Sequence, residues 1–103
     1  MEISIQDFYE KVKQADFDHW VDVRSAEEFA AVRADSPLVK HHPLDQIATL
    51  ELPKDATIYL SCRSGARSGQ AQAFMLQNGY TNVINVAGGI MAWEAAGFPT
   101  TQG

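Results

Sequence analysis

Short runs of β-branched and aromatic residues alternate with segments of helical period along the whole chain, and this alternation limits the fold more than any other feature. It marks a sheet whose strands are joined by helices that cover both faces. Ile3 begins the series as a short strand. Ser4-Ile5-Gln6-Asp7 resembles a capping-box start for a helix through about Lys13, with Ile5, Phe8, Tyr9 and Val12 as its apolar stripe. His19-Trp20-Val21-Asp22-Val23 reads as the next strand. Ser25-Ala26-Glu27-Glu28 is a better capping box, opening a short helix that turns Phe29 and Val32 to the core before Asp35-Ser36-Pro37 breaks it.

Leu38 and Val39 suggest a further short strand, Pro43 to Ile47 a turn with one helical turn, and Pro53-Lys54-Asp55 the loop into the strand Thr57-Ile58-Tyr59-Leu60. A helix from about Ser68 to the C-cap pair Asn78-Gly79 places Ala71, Phe74 and Met75 on one face. Asn82 to Val86 makes the last strand, and Gly88-Gly89 turns into a helix from about Ile90 to Ala96, stopped by Gly97 with Pro99 beyond. Met91 and Trp93 fit core packing there. Thr100 to Gly103 reads as a polar tail that frays.

The length of 103 residues and an apolar share of 46% suit one domain, residues 1–103, with one core. No apolar run is long enough to cross a bilayer, and Met1-Glu2-Ile3-Ser4 lacks the basic and apolar regions of a secretory signal, so the chain reads as soluble and cytoplasmic. The net charge of -5 and the lack of a Lys/Arg cluster argue against nucleic acid as a partner. With one cysteine there is no intrachain disulfide, and no Cys or carboxylate is spaced against a His as a tetrahedral metal site needs.

That cysteine, Cys62, follows the Thr57 strand directly. It begins the loop at the strand's C-terminal end, where open α/β sheets bind ligands. From Ala56 to Trp93 the only charged side chains are Arg63 and Arg67, both beside Cys62, so an acidic chain has a local positive site that reads as a place for an anion. Helix N-termini and nearby cations lower a thiol's pKa and populate the nucleophilic thiolate. Gly65 permits unusual dihedrals and Ala66 is small, so the backbone N–H groups of Arg63 through Ser68 can turn inward as a cradle for negative charge. The small residues also suggest a mouth open to a protein thiol.

Each residue has a plainer reading. Cys62 could be an inert buried thiol, Arg63 and Arg67 surface charges, and Ser68 a helix cap rather than a group bonded to sulfur, as Ser64 and Ser68 could also be. Asp22 and Arg24 fit a structural pair that braces loops near the site better than direct catalysis. His41 and His42 are adjacent on a strand, so at most one could approach Cys62; they read as partly exposed, and His19 as a loop or strand-edge residue.

Asp22-Val23-Arg24 followed by Glu28-Phe29, the loop from Cys62 to Arg67 entering a helix at Ser68, and Gly88-Gly89-Ile90-Met91-Ala92-Trp93 occur together in this order. On these motifs, over nearly the whole length, the chain resembles a single-domain rhodanese of the thiosulfate sulfurtransferase family. The resemblance implies an α/β fold with a central, mostly parallel sheet flanked by helices on both faces, and a Cys62 that carries sulfane sulfur as a persulfide without metal or organic cofactor. It implies a small anionic donor such as thiosulfate, bound by Arg67 and less surely Arg63 with Ser64, Gly65, Ala66 and Ser68, and cyanide, a thiol or a protein as acceptor. The chain departs from the family between Phe29 and Pro43, where only Pro37 clearly matches the usual turn and strand. Cys-based phosphatases and arsenate reductases are one rival reading, but their sites resemble Cys, five residues and then Arg, whereas Arg67 follows Cys62 after four. A non-catalytic binding module is the other; such modules typically lack the cysteine or carry acidic loop residues.

Overall fold

The structure, a computed structural model, describes residues 1–102. In chain order its elements are β1 (Glu2–Ile3), α1 (Ile5–Gln14), β2 (His19–Asp22), α2 (Ala26–Ala31), β3 (Val32–Ala34), β4 (Val39–His41), a 3-10 turn (Leu44–Thr49), β5 (Ile58–Ser61), α3 (Ala66–Gln77), β6 (Val83–Val86), α4 (Gly89–Ala95) and β7 (Thr100–Gln102). Five strands form one sheet in the order β1-β6-β5-β2-β4, with every neighbouring pair parallel. All C-terminal strand ends therefore share one edge, which brings Asp22, His41, Ser61 and Val86 to the same side of the molecule.

Side chains alternate across the sheet and split the core in two. Ile58 and Leu60 of β5 face one way, against Ala71 and Met75 of α3 and Ile47 of the 3-10 turn. Tyr59 faces the other way, with Trp20, against Phe8 of α1 and Trp93 of α4. Phe8 meets Trp20 edge-on at 4.8 Å and Tyr59 at 5.1 Å, an aromatic cluster that closes this second face. The helices begin where side-chain chemistry favours them. Ser4 accepts from the Asp7 amide, and Ser25 and Glu28 complete the reciprocal capping box of α2. Among the described residues no helix is long and apolar enough to cross a membrane.

Several expectations need correction. β3 and β7 were not foreseen: Val32, Arg33 and Ala34 pair antiparallel with Gln102, Thr101 and Thr100, so α2 ends at Ala31, β6 is not the last strand, and Thr100–Gln102 is a strand rather than a frayed tail. Gly103, the end of that expected tail, lies outside the described residues. Val32 therefore leaves the helix, and Phe29 is half-buried rather than in the core, its ring stacked on His41 at 4.7 Å. On α3, Ala71 and Met75 are buried but Phe74 is exposed, because the helix lies over the sheet along a narrower stripe than the sequence suggested. Met91 is also exposed, at 50%, while Trp93 is buried. The divergent stretch before Pro43 supplies β4, which extends the parallel sheet beyond β2.

Candidate active site

β5 delivers Cys62 to the C-terminal edge of the sheet, and α3 begins four residues later at Ala66, two residues before the expected start. Gly65 is the hinge between them, with φ +104, a conformation that costs glycine nothing and other residues a strain. Its amide lies 3.0 Å from the Cys62 Sγ. Ser68, one turn into α3, places its hydroxyl 3.4 Å from the same sulfur. Ser68 makes no capping bond, since the N-cap position belongs to Gly65; the hydroxyl is fully buried and faces the thiol.

Cys62 itself is only 1% exposed, so the open mouth anticipated for this loop is closed. Arg63, Ser64 and Ala66 form its exposed rim. Burial pushes the thiol up, and hydrogen bonds from the Ser68 hydroxyl and from the amides of Ser68, Gly65 and Ser64 together outweigh it, leaving the Cys62 pKa below its ordinary value. Of the inward amides read from the sequence, that of Gly65 lies within hydrogen-bond distance of the sulfur. A buried cysteine without such donors would be an inert small hydrophobe.

The loop is held from two further directions. The amides of Ile90 and Met91, in the first turn of α4, donate to the carbonyls of Cys62 at 2.9 Å and Arg63 at 3.0 Å. This approach requires Gly89: a Cβ there would lie 2.2 Å from the Cys62 carbonyl oxygen, and its φ is +53. From the sheet, Asn85 of β6 donates through Nδ2 to the Gly65 carbonyl at 3.0 Å and accepts from the Ser68 hydroxyl at 2.5 Å. Asn85 is buried in an otherwise apolar strand. A lone amide in that position is the signal by which the sequence could have shown it, since a buried polar group needs partners.

Arg67 does not point freely at the thiol. Its Nη1 and Nη2 donate to Glu28 Oε1 and Oε2 at 2.6 and 2.8 Å, a two-pronged ion pair that ties α3 to α2. The Arg67 hydrogen bonds hold the Glu28 carboxyl at about 2, despite its partial burial, and Glu28 in turn raises Arg67. Glu28 was read only as a helix cap; its second task is invisible to local sequence. Arg63 has no ion-pair partner among the described residues and lines a cleft of about 520 Å³ beside the loop, with Ile90, Met91 and Glu94.

Asp22 and Arg24 form the expected structural pair, 2.9 Å apart and almost wholly buried. Arg24 also donates to the carbonyls of Glu28 at 3.3 Å and Val32 at 2.7 Å, so the pair fixes the end of α2 and thereby the Glu28 side of the rim. His41 hydrogen-bonds the Arg24 carbonyl at 2.7 Å, and His42 the Gln46 carbonyl at 2.7 Å. Both are partly exposed, as anticipated, and neither hydrogen-bonds Cys62.

Comparison with known proteins agrees with this fold. A model of the rhodanese-like domain matches residues 4–96. A protein of Allochromatium vinosum named sulfurtransferase is 43% identical over 79 residues, covering 77% of this chain and 74% of the relative. The thiosulfate sulfurtransferase PspE of Escherichia coli is 33% identical over 75 residues, covering 69% of this chain and 70% of the relative. The crystal structure of a rhodanese-related protein from Thermoplasma volcanium superposes with a TM-score of 0.80 at 27% identity, covering 99% of this chain and 98% of that one. The chain belongs to the rhodanese-like domain family.

Proposed function

We propose that the protein is a sulfurtransferase that carries sulfane sulfur as a persulfide on Cys62, taken from a small anionic donor such as thiosulfate and passed to cyanide, a thiol or a protein acceptor. The observation that carries this reading is the set of donors on the Cys62 sulfur, from the Gly65 amide at 3.0 Å and the Ser68 hydroxyl at 3.4 Å. They stabilise an anion in a buried place, which both a thiolate and a persulfide require. The relatives named sulfurtransferase support sulfur transfer in general.

In the first half-reaction the Cys62 thiolate attacks the outer sulfur of thiosulfate. A new S–S bond forms at Sγ, the S–S bond of thiosulfate breaks, and sulfite leaves with the electron pair. Arg63, exposed and without an ion-pair partner among the described residues, supplies a cation for the donor's oxygens, while Arg67 contributes positive field from its fixed place beside Glu28. In the second half-reaction an acceptor nucleophile attacks the outer persulfide sulfur and the Cys62 thiolate returns. Since Cys62 is 1% exposed, the donor's terminal sulfur enters only where the rim of Arg63, Ser64 and Ala66 parts, and the closed loop shields the persulfide between half-reactions. A cytoplasmic setting, where thiols stay reduced, suits such a lone reactive cysteine.

The test is thiocyanate formation from thiosulfate and cyanide. Double-displacement kinetics lost in Cys62→Ser, with a raised KM for thiosulfate in Arg63→Ala, are expected. Undiminished turnover in Cys62→Ser would end this reading.

A further inference from the structure

The Ser68 hydroxyl carries one hydrogen and has two acceptors, Asn85 Oδ1 at 2.5 Å and Cys62 Sγ at 3.4 Å. It is fully buried, so water does not supply a third. It cannot serve both at once. The second arm of Asn85, Nδ2 to the Gly65 carbonyl at 3.0 Å, keeps the amide from turning its oxygen away from Ser68.

We propose that Asn85 is a positioning residue that sets a two-position hydrogen-bond switch at Ser68: the hydroxyl donates to Asn85 while Cys62 is a neutral thiol, and turns to the sulfur when Cys62 becomes a thiolate or persulfide anion. In the thiol state the chain runs from the Cys62 S–H to Ser68 Oγ, and from the Ser68 O–H to Asn85 Oδ1, so each buried hydrogen has an acceptor. On ionisation the thiol proton is lost to solvent past the loop rim. Ser68 keeps its hydrogen and changes only its acceptor. A buried sulfur that alternates between neutral and anionic forms is thereby satisfied in both.

The other titratable and charged groups around this pair are Arg67 of α3 with Glu28 of α2, the Asp22–Arg24 pair at the end of β2, His41 of β4, Arg63 of the loop, Glu94 of α4 and, on β1, the exposed Glu2 that stands in register with Asn85. β5 contributes Tyr59, which faces the opposite core, and β6 contributes none. Arg67 spends its hydrogen bonds on Glu28 and Arg24 spends its own on Asp22 and the end of α2, which leaves Ser68 as the side-chain donor on the sulfur.

The inference rests on Cys62 as the reacting thiol, but its test does not use sulfur transfer, so the two can fail separately. The side-chain amide signals of Asn85 are followed by NMR through the Cys62 titration, whose midpoint is fixed independently by the pH dependence of alkylation with iodoacetamide. The expected result is an Asn85 response with the Cys62 midpoint that disappears in Ser68→Ala. In a second arm, Asn85→Leu leaves the hydroxyl only the sulfur, and the Cys62 midpoint falls by about half a pH unit or more. Asn85 signals that do not follow Cys62, or that respond equally in Ser68→Ala, would overturn the switch, as would a raised midpoint in a folded Asn85→Leu. If that variant does not fold, the NMR arm on the native chain decides.

Discussion

Replacing Glu28 by Gln tests whether the ion pair at the site rim holds α2 to α3. Gln keeps a carbonyl oxygen for the Ser25 amide, so the capping box survives in part while the charge that meets Arg67 is lost. The Glu28 pKa is lowered from 4.5 to about 2, first by the Arg67 hydrogen bonds. At 1.36 kcal/mol per pH unit that gap corresponds to about 3.4 kcal/mol. The Glu28 side chain is 32% exposed, so solvent screening reduces the contribution to about 1–2 kcal/mol. Because the folded-state pKa is depressed, this stability is present above pH 4.5 and disappears as pH falls toward 2. The assay is urea unfolding of both proteins at several pH values. At pH 7 Glu28→Gln is expected to be less stable by about 1–2 kcal/mol, or roughly 4–12 °C in Tm, and the difference should shrink as pH falls from 4.5 toward 2. A difference independent of pH over that range would refute the assignment of the stability to this pair.

The loop geometry makes further predictions. Gly89→Ala would push a Cβ to 2.2 Å from the Cys62 carbonyl oxygen, so it should lower stability by about 3 kcal/mol or more in thermal unfolding and abolish Cys62 reactivity. Ser68→Ala removes the side-chain donor on Cys62 Sγ and should raise the midpoint of its alkylation profile by about one pH unit, with little change in fold. Deleting residues 100–103 removes the partner of β3 and should destabilise the chain by about 1–2 kcal/mol in urea unfolding, whereas a merely frayed tail would cost nothing.

The elements that sequence made legible are those whose signals are local. The Ser25 to Glu28 capping box, the Thr57 to Leu60 apolar strand and the glycine stops at Gly79 and Gly97 all act within a few residues, and each appears in the structure close to where it was read. β3 and β7 escaped notice because their pairing joins Val32–Ala34 to Thr100–Gln102 through backbone bonds between segments with little apolar pattern. Phe74 and Met91 were misread for a related reason: helical spacing gives a face, but only the packed partners decide how wide that face is. At the site, Cys62 stood out because a lone thiol follows a buried strand and is itself followed by two arginines. The task of Glu28 depends on a contact spanning 39 residues, which no local pattern records, and that of Asn85 on contacts spanning 17–20 residues, marked locally only by a lone amide in an apolar strand.

The closure over Cys62 was equally beyond sequence reading. Small residues at Gly65 and Ala66 imply room, yet the space they leave is taken by the Gly65 amide turned toward the sulfur and by α4 pressing Gly89 against the loop carbonyls. The same smallness that suggested an open mouth is what allows the cradle to tighten around an anion.

The central claim, that Cys62 accepts a sulfur atom, is tested most directly by intact-protein mass spectrometry after brief incubation with thiosulfate, on the native chain and on Cys62→Ser, before and after cyanide. The account predicts a gain of one sulfur that requires Cys62 and is removed by cyanide as thiocyanate. A folded native chain that gains no sulfur from thiosulfate or from any other sulfane-sulfur donor, or a gain that persists in Cys62→Ser, would contradict it.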